Sequence, residues 1–285
     1  GWLLDRWLSR EPGLRGGVDV IVNYSAARTA RQLIERVPHR LLVYDCTDDW
    51  LAVRGIPDFL AEDERILLGR ADLTLVPSRA LLERKSPLAK RIERVPHGAL
   101  VERFQLPARR SKGKAVPVAL LYYGHLHRQH LDFGLLMELA RLRPEWTLTL
   151  VGPVKTPATF PPNVHLAGQQ QHTSLRAFIA AADVLLLPYV INAYTRAVLP
   201  AKIFECLASG RPIVATPLPE LTEGFGESIR FATDAAGFVQ AVEEALAGDS
   251  PESAAARTTL GQANSWQERY RQIRALLQEV GRKKT

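Results

Sequence analysis

Cysteine is scarce in this chain: among its 285 residues only Cys46 and Cys206 carry a thiol, far apart and in no metal-ligand spacing. This argues against a disulfide framework and against a structural zinc site, and it suits reduced thiols in a cytosolic protein. Long apolar runs are missing as well. The best of them, 177–190, is broken by Asp183 and Pro188 and falls short of the roughly 20 residues that span a bilayer as a helix. No signal peptide is visible, and the first residue is Gly1 rather than Met. There is no internal repeat and no low-complexity tract. A hydrophobic share of 46% with 24% charged residues is that of a folded globular protein and excludes disorder.

Charge is plentiful but uneven. The net charge is +7, of which +6 lies before residue 115. A basic front half suits anionic lipid or an anionic acceptor. Nucleic acid is not expected, since no aromatic-interleaved basic patch, zinc finger or recognition helix accompanies the charge. The segment Trp2–Arg10 has the pattern of a short amphipathic helix, suited either to covering a core or to lying on a membrane surface.

Short, almost continuously apolar runs alternate with helix-like stretches. The runs are Val18–Asn23, Leu41–Tyr44, Leu73–Val76, Val118–Tyr123, Thr147–Val151, Val164–Ala167, Val184–Leu187 and Ile213–Ala215, with a possible further one at Arg91–Val95. Leu131–Arg141 and Ser174–Ala182 are typical of the helical stretches between them. Such runs are expected of parallel strands covered on both faces, and the alternation predicts a doubly wound α/β architecture. A basic, Pro- and Gly-containing segment, PARRSKGKAVP at 107–117, reads as an interdomain linker. The expected organisation is a front domain over 1–108, a second domain over 109–263, and a terminal amphipathic helix with a basic tail over 264–285. That helix, from Asn264 to Gln278, places Trp266, Tyr270, Ile273 and Leu277 on one stripe.

The segment Leu199–Glu220, LPAKIFECLASGRPIVATPLPE, carries the most chemistry. Pro200 is a favoured first-turn residue and Gly210 a favoured stop. Lys202 and Glu205, three apart, project from one side of the first turns. A helix N-terminus with a lysine beside it suits a diphosphate, and a carboxylate one turn on suits the two hydroxyls of a ribose. The segment resembles the donor-site helix of family-4-type GT-B glycosyltransferases, glycosyl transferases group 1, in Pro200, Lys202, Glu205, Leu207, Ala208, Gly210, Pro212 and Val214. Where many relatives carry a second glutamate eight positions before the first, this chain has Ala197. That loop resembles a branch with Asn192, Thr195 and Arg196 in it.

The resemblance implies an α/β GT-B fold with two Rossmann-like doubly wound domains, the first incomplete. The family's front domain usually opens with two or three more βα units, so the chain is expected to be N-terminally truncated relative to it. The resemblance also implies a set of donor-binding residues. YYGHLHR at 122–128 resembles the loop after the first donor-domain strand, with Gly124 and Arg128 facing the diphosphate. WTLTLVGP at 146–153 resembles the second strand. Gly168 and Gln169 follow the third, where relatives contact the base. Thr195, Arg196, Pro200, Lys202 and Glu205 complete the set. LLVYDCTDDW at 41–50 resembles a bacterial cell-surface polysaccharide branch. Its carboxylates leave three readings open: acceptor-side catalysis by Asp45 and Asp48, helix capping by Asp48 or Asp49, or a divalent-metal site.

The implied activity is a retaining, metal-independent transfer from a nucleoside-diphosphate sugar to a glycan or lipid-linked acceptor in cell-envelope polysaccharide synthesis. Lys202 and the helix start would stabilise the departing diphosphate, with no cofactor beyond the sugar nucleotide. The protein is expected in the cytoplasm, with peripheral contact at the inner membrane face. Two alternatives stay open: a nucleotide-sugar epimerase of the same fold, and a truncated nucleotide-binding module without turnover.

Overall fold

The computed structural model describes Leu8 and residues 11–52, 57–107, 117–154 and 159–284. Apart from Leu8, the stretch Trp2–Arg10 lies outside the described residues, as does most of the expected linker. The chain forms two compact units. The first takes the residues up to His97 with Ala197–Leu199 and everything from Arg269 on; the second takes Gly98–Arg196 and Pro200–Glu268.

In the first unit, β1 (Val18–Asn23), β2 (His39–Asp45), β3 (Leu73–Val76) and β4 (Ile92–Arg94) lie side by side in chain order, all parallel. The tentative run at Arg91–Val95 is thus a genuine strand. A short α1 (Pro12–Arg15) comes first, and α2 (Arg28–Arg36), α3 (Phe59–Arg70) and α4 (Arg79–Lys85) make the crossovers. Ser78 caps α4, its hydroxyl accepting from the Leu81 amide at 3.2 Å. Because successive crossovers are right-handed, strands laid down in order carry their helices on one face. The alternation of side chains along β2 matches this: Leu42, Tyr44 and Cys46 pack with Ile34, Leu67, Leu68 and Leu81 of those helices. Leu41 and Val43 point the other way, with Leu73 and Leu75. That second face is covered by the last helix, α11 (Trp266–Arg282), through Ile273, Leu276, Leu277 and Val280. The predicted stripe on this helix is half right. Ile273 and Leu277 are core, whereas Trp266 and Tyr270 are 50% and 63% exposed, because the packed face drifts to Leu276 and Val280 as the helix runs four residues past Gln278.

The second unit is a six-stranded parallel sheet. Its strands are β5 (Ala119–Tyr123), β6 (Thr147–Val151), β7 (Val164–Gly168), β8 (Val184–Leu187), β9 (Ile213–Ala215) and β10 (Arg230–Phe231), in the order β10-β9-β8-β5-β6-β7. The chain lays strands outward from β5 through β6 to β7, then returns to place β8 on the other side of β5. The gap between β5 and β8 is therefore the point where strand order reverses, and the carboxyl ends of those strands are where open α/β sheets hold ligands. On one face, α5 (Phe133–Leu142) and α9 (Ala235–Ala247) bury Leu136, Leu139, Phe238 and Val242 against Leu120, Leu148, Leu150 and Leu186. α6 (Leu175–Ala181) precedes β8, and α8 (Pro219–Phe225) lies between β9 and β10. α7 (Lys202–Ala208) packs against α10 (Pro251–Gln262) so closely that a Cβ on Gly261 would stand 2.5 Å from the Ala208 nitrogen. Pro200 opens the turn before α7, its carbonyl accepting from Ile203 N–H at 3.0 Å, so the regular helix starts two residues later than expected. Gly210, at φ +69°, ends it in a conformation that other residues avoid.

Candidate functional site

The carboxyl edge of the second sheet gathers most of the residues singled out from the sequence. β5 ends at Tyr122 and Tyr123, and Gly124 follows with φ +134°. The Gly124 amide donates to the Val151 carbonyl at 2.8 Å. Gly152, after β6, sits at φ +143°, and a Cβ there would fall 1.8 Å from the Gly124 oxygen. Two backbones thus meet with no side chain between them. A Cβ on Gly124 would in turn lie 2.4 Å from the Lys202 Nζ, so this glycine is what lets the lysine reach the strand end.

Lys202 stands at the start of α7. Its ammonium donates to the Tyr123 carbonyl at 2.6 Å and to the Tyr122 hydroxyl at 3.2 Å. It lies 4.2 Å from the Tyr122 ring centroid and 5.7 Å from those of Tyr123 and Tyr189. Burial opposes its charge, but the oxygens and ring faces of Tyr122 and Tyr189 outweigh burial and hold the ammonium above its ordinary pKa. One turn on, Glu205 Oε1 lies 3.1 Å from His172 Nε2, and the imidazole rests edge-on against Phe104 at 5.2 Å. Beneath them, Cys206 is buried with its sulfur 3.4 Å from the Tyr123 hydroxyl, and burial pushes the thiol up to about 12. Cys46 is likewise free and buried.

The other expected donor residues are spread around this edge. Gly168, at φ +68°, ends β7 and accepts at its carbonyl from the Gly152 amide at 2.8 Å; Gln169 after it is exposed. Arg128 is exposed, with its guanidinium 5.7 Å from the Phe133 ring. Arg196 is exposed too. Thr195 is buried at 1% exposure, donating to the Val190 carbonyl at 2.6 Å and accepting from the Asn192 amide at 2.9 Å, so its hydroxyl ties the loop to itself. His172, Tyr122 and Tyr189 were not singled out from sequence. The signal for the tyrosines was there: Tyr122 is the penultimate residue of β5 and Tyr189 follows the end of β8 by two residues, on the two strands that flank the reversal of strand order.

In the first unit, β2 ends at Asp45. Burial raises its carboxyl from 3.8 to about 6. An acid that keeps its proton longer in the folded state makes stability fall as pH rises from its unfolded value through about 6, and stay low above that. Asp45→Asn removes this cost. Urea midpoints should show the variant more stable than the parent at pH 7.5, with the gap closing towards pH 4; a gap that does not change with pH would show that Asp45 titrates normally. Asp48 is half-buried in the loop that follows. Asp49 precedes the short 3-10 turn Trp50–Ala52. It is buried, paired with Arg84 and 3.5 Å from Lys85 Nζ. Lys85, only 4% exposed, also donates to Glu64 at 2.6 Å, and Glu64 accepts from the Tyr44 hydroxyl at 3.0 Å. Sequence reading missed this buried network entirely. Among the described residues no three His, Cys, Asp or Glu side chains converge as metal ligands, and no helix is long and apolar enough to cross a membrane.

Two parallel α/β units, the second with its ligand edge at a reversal of strand order, define the GT-B class. The chain superposes on sucrose-phosphate synthase from Thermosynechococcus elongatus with a TM-score of 0.75 at 18% identity, covering 97% of this chain and 78% of that one. It superposes on HepE of Anabaena, solved in complex with UDP, with a TM-score of 0.71 at 15% identity, covering 97% and 82%. Residues 117–248 match the family described as Glycosyl transferases group 1. TuaH of Bacillus subtilis (strain 168), assigned as a teichuronic acid biosynthesis glycosyltransferase, is 28% identical over 206 residues. That match takes in 64% of this chain and spans about half, 52%, of the relative's length.

Proposed function

We propose that the protein transfers a sugar, with retention and without a metal ion, from a nucleoside-diphosphate sugar to a glycan or lipid-linked acceptor of a cell-surface polysaccharide. The observation that carries the proposal is the charged Lys202 held between Tyr122, Tyr123 and Tyr189 beside two side-chain-free glycines, at the reversal of strand order. Lys202 and the amides of the turn at Pro200 receive the diphosphate, and Gly124 gives it room. Glu205, oriented by His172, accepts from the ribose hydroxyls. HepE, of the same fold, is solved with UDP, with UDP and glucose and with UDP-glucose. TuaH, assigned to teichuronic acid biosynthesis, supports a cell-surface polysaccharide as the acceptor.

In the reaction the bond between the anomeric carbon and the diphosphate oxygen breaks. The acceptor oxygen bonds to that carbon on the same face, and its proton passes to the departing diphosphate. The developing negative charge is met by Lys202, already charged and already placed. Asp45 and Asp48 bind acceptor hydroxyls in the first unit.

The test is thermal unfolding with UDP, GDP, ADP and TDP, followed by transfer assays with the matching sugar nucleotides in EDTA and assignment of the product anomer by NMR. One nucleotide is expected to stabilise, and Glu205→Gln is expected to lose the preference for the ribo form over the 2′-deoxy form. A protein that unfolds cooperatively and responds to none of the four would sink the donor site.

A further inference from the structure

Two stretches flank the reversal of strand order, 122–131 from the end of β5 and 184–204 through β8. Neither contains an aspartate or a glutamate, yet together they carry Arg128, Arg196, Lys202 and three histidines. The acids at their borders are engaged elsewhere. Asp132 accepts from the Leu135 amide at 2.9 Å, and Asp183, 3% exposed, accepts from the Ala119 amide at 2.8 Å. Glu205 faces His172 at 3.1 Å. Of the three cations, Lys202 is enclosed by tyrosines and Arg128 lies over the Phe133 ring. Arg196 is exposed, and among the described residues no carboxylate pairs with it.

The backbone that carries Arg196 is fixed. The Val190 amide donates to the His130 carbonyl at 2.9 Å, and Asn192 Nδ2 donates to the Gln129 carbonyl at 2.9 Å. The rings of His130 and Tyr194 stand 5.0 Å apart. These contacts join the loop after β8 to the loop after β5. Within the former, Thr195 turns inward and the Arg196 amide donates to the Asn192 carbonyl at 3.0 Å, so the short turn Thr195–Ala197 presents the arginine outward. Its place along the donor follows from the direction of α7, given the donor site proposed above. Glu205, one turn into the helix, takes the ribose, and Lys202, at its start, takes the diphosphate. The group beyond the diphosphate then lies past the helix start, on the side of the loop that ends in Arg196.

We infer that Arg196 receives a carboxylate on the transferred sugar, so that the donor is a nucleoside-diphosphate hexuronate rather than a neutral hexose. A guanidinium donates two parallel hydrogen bonds to a planar carboxylate. An edge without acids also spares that carboxylate a like charge, whereas a neutral sugar makes no use of the cation. The inference rests on the donor site and adds to it the charge of the sugar.

The test is calorimetric titration of the whole chain with UDP, then with UDP-glucose against UDP-glucuronate and UDP-galactose against UDP-galacturonate, pairs that differ only at C6. If the nucleotide panel selects another base, the corresponding pairs on that base take their place. At least one uronate is expected to bind roughly tenfold or more tightly than its hexose, the effect of a charge-assisted pair of hydrogen bonds. In R196A that ratio is expected to fall to about one, and R196K is expected to restore only part of it, since an ammonium lacks the planar fork. Titration with the nucleotide alone separates the two possible failures. A chain that binds no nucleoside diphosphate loses the donor site, and this inference with it. A chain that binds the nucleotide but takes each hexose as tightly as its uronate keeps the donor site and overturns the inference alone. An equal loss of nucleotide, hexose and uronate in R196A would make Arg196 a contact of the diphosphate and would overturn it too.

Discussion

Lys85→Met is expected to cost about 3–5 kcal/mol of stability, the usual consequence of removing one partner from a buried ion pair. The side chain is 4% exposed, with Glu64 at 2.6 Å and Asp49 at 3.5 Å, themselves 1% and 6% exposed. Methionine fills the space but leaves Glu64 with only the Tyr44 hydroxyl and the weak Cys46 thiol as donors. The charge of Lys85 survives its own burial because Glu64 hydrogen-bonds to it, which holds its pKa above the ordinary lysine value. Urea unfolding at neutral pH measures the loss. The double variant Lys85→Met/Glu64→Gln should regain most of it, since a neutral amide still accepts from Tyr44 and Asp49 keeps Arg84. If Lys85→Met unfolds within about 1 kcal/mol of the parent, the network contributes no more than a surface pair does.

The second large effect concerns ligand binding. A nucleoside diphosphate at a hundred times its dissociation constant adds about 2.7 kcal/mol of stability, which for a unit of 150–250 residues is a rise of several degrees in Tm at about 2–4 °C per kcal/mol. Lys202→Ala is expected to abolish that rise. Lys202→Arg is expected to restore little of it, because the space beside Gly124 is already filled by a single ammonium: a Cβ there would be 2.4 Å from Nζ, and a planar guanidinium is wider. The quantity to compare is the ligand-induced shift, since loss of the cation over three tyrosine rings also lowers the baseline. A full shift in Lys202→Ala would remove the lysine from diphosphate binding.

Much of this architecture was readable because parallel strands covered on both faces leave continuous apolar runs. Val18–Asn23, Leu73–Val76, Thr147–Val151, Val184–Leu187 and Ile213–Ala215 are strands at the predicted limits. β10 escaped notice because it is two residues long, RF, with Arg230 exposed, and nothing local distinguishes it from a turn. β2 begins two residues earlier than its apolar run, since His39 and Arg40 are held by ladder pairing with β1 rather than by burial. At the site, the shared side of Lys202 and Glu205 was legible from their spacing, whereas Gly124 and Gly168 were singled out through the family resemblance. The His172–Glu205 pair was not, because it joins a loop to a helix 33 residues later. Nor was the Asp49–Lys85–Glu64 network: DD before a tryptophan looks like a cap or a ligand pair, and only the packing of α3 and α4 on β2 shows that Asp49 is spent on structure.

The covering of the first sheet by α11 has a consequence for biosynthesis. Leu41, Val43, Leu73, Leu75 and Val95 are all translated long before Ile273, Leu276, Leu277 and Val280, which bury them. Roughly 180 residues separate the last of the former from the first of the latter, and at about 5–20 residues per second a ribosome needs roughly 10–35 s to make them. During that interval the nascent sheet has helices on one side and bare leucine and valine on the other. The second unit, whose strands all lie between those dates, can finish folding first. A trigger-type chaperone on the emerging chain therefore has a defined client surface and a defined window, and a stop codon before residue 273 would leave that surface permanently open.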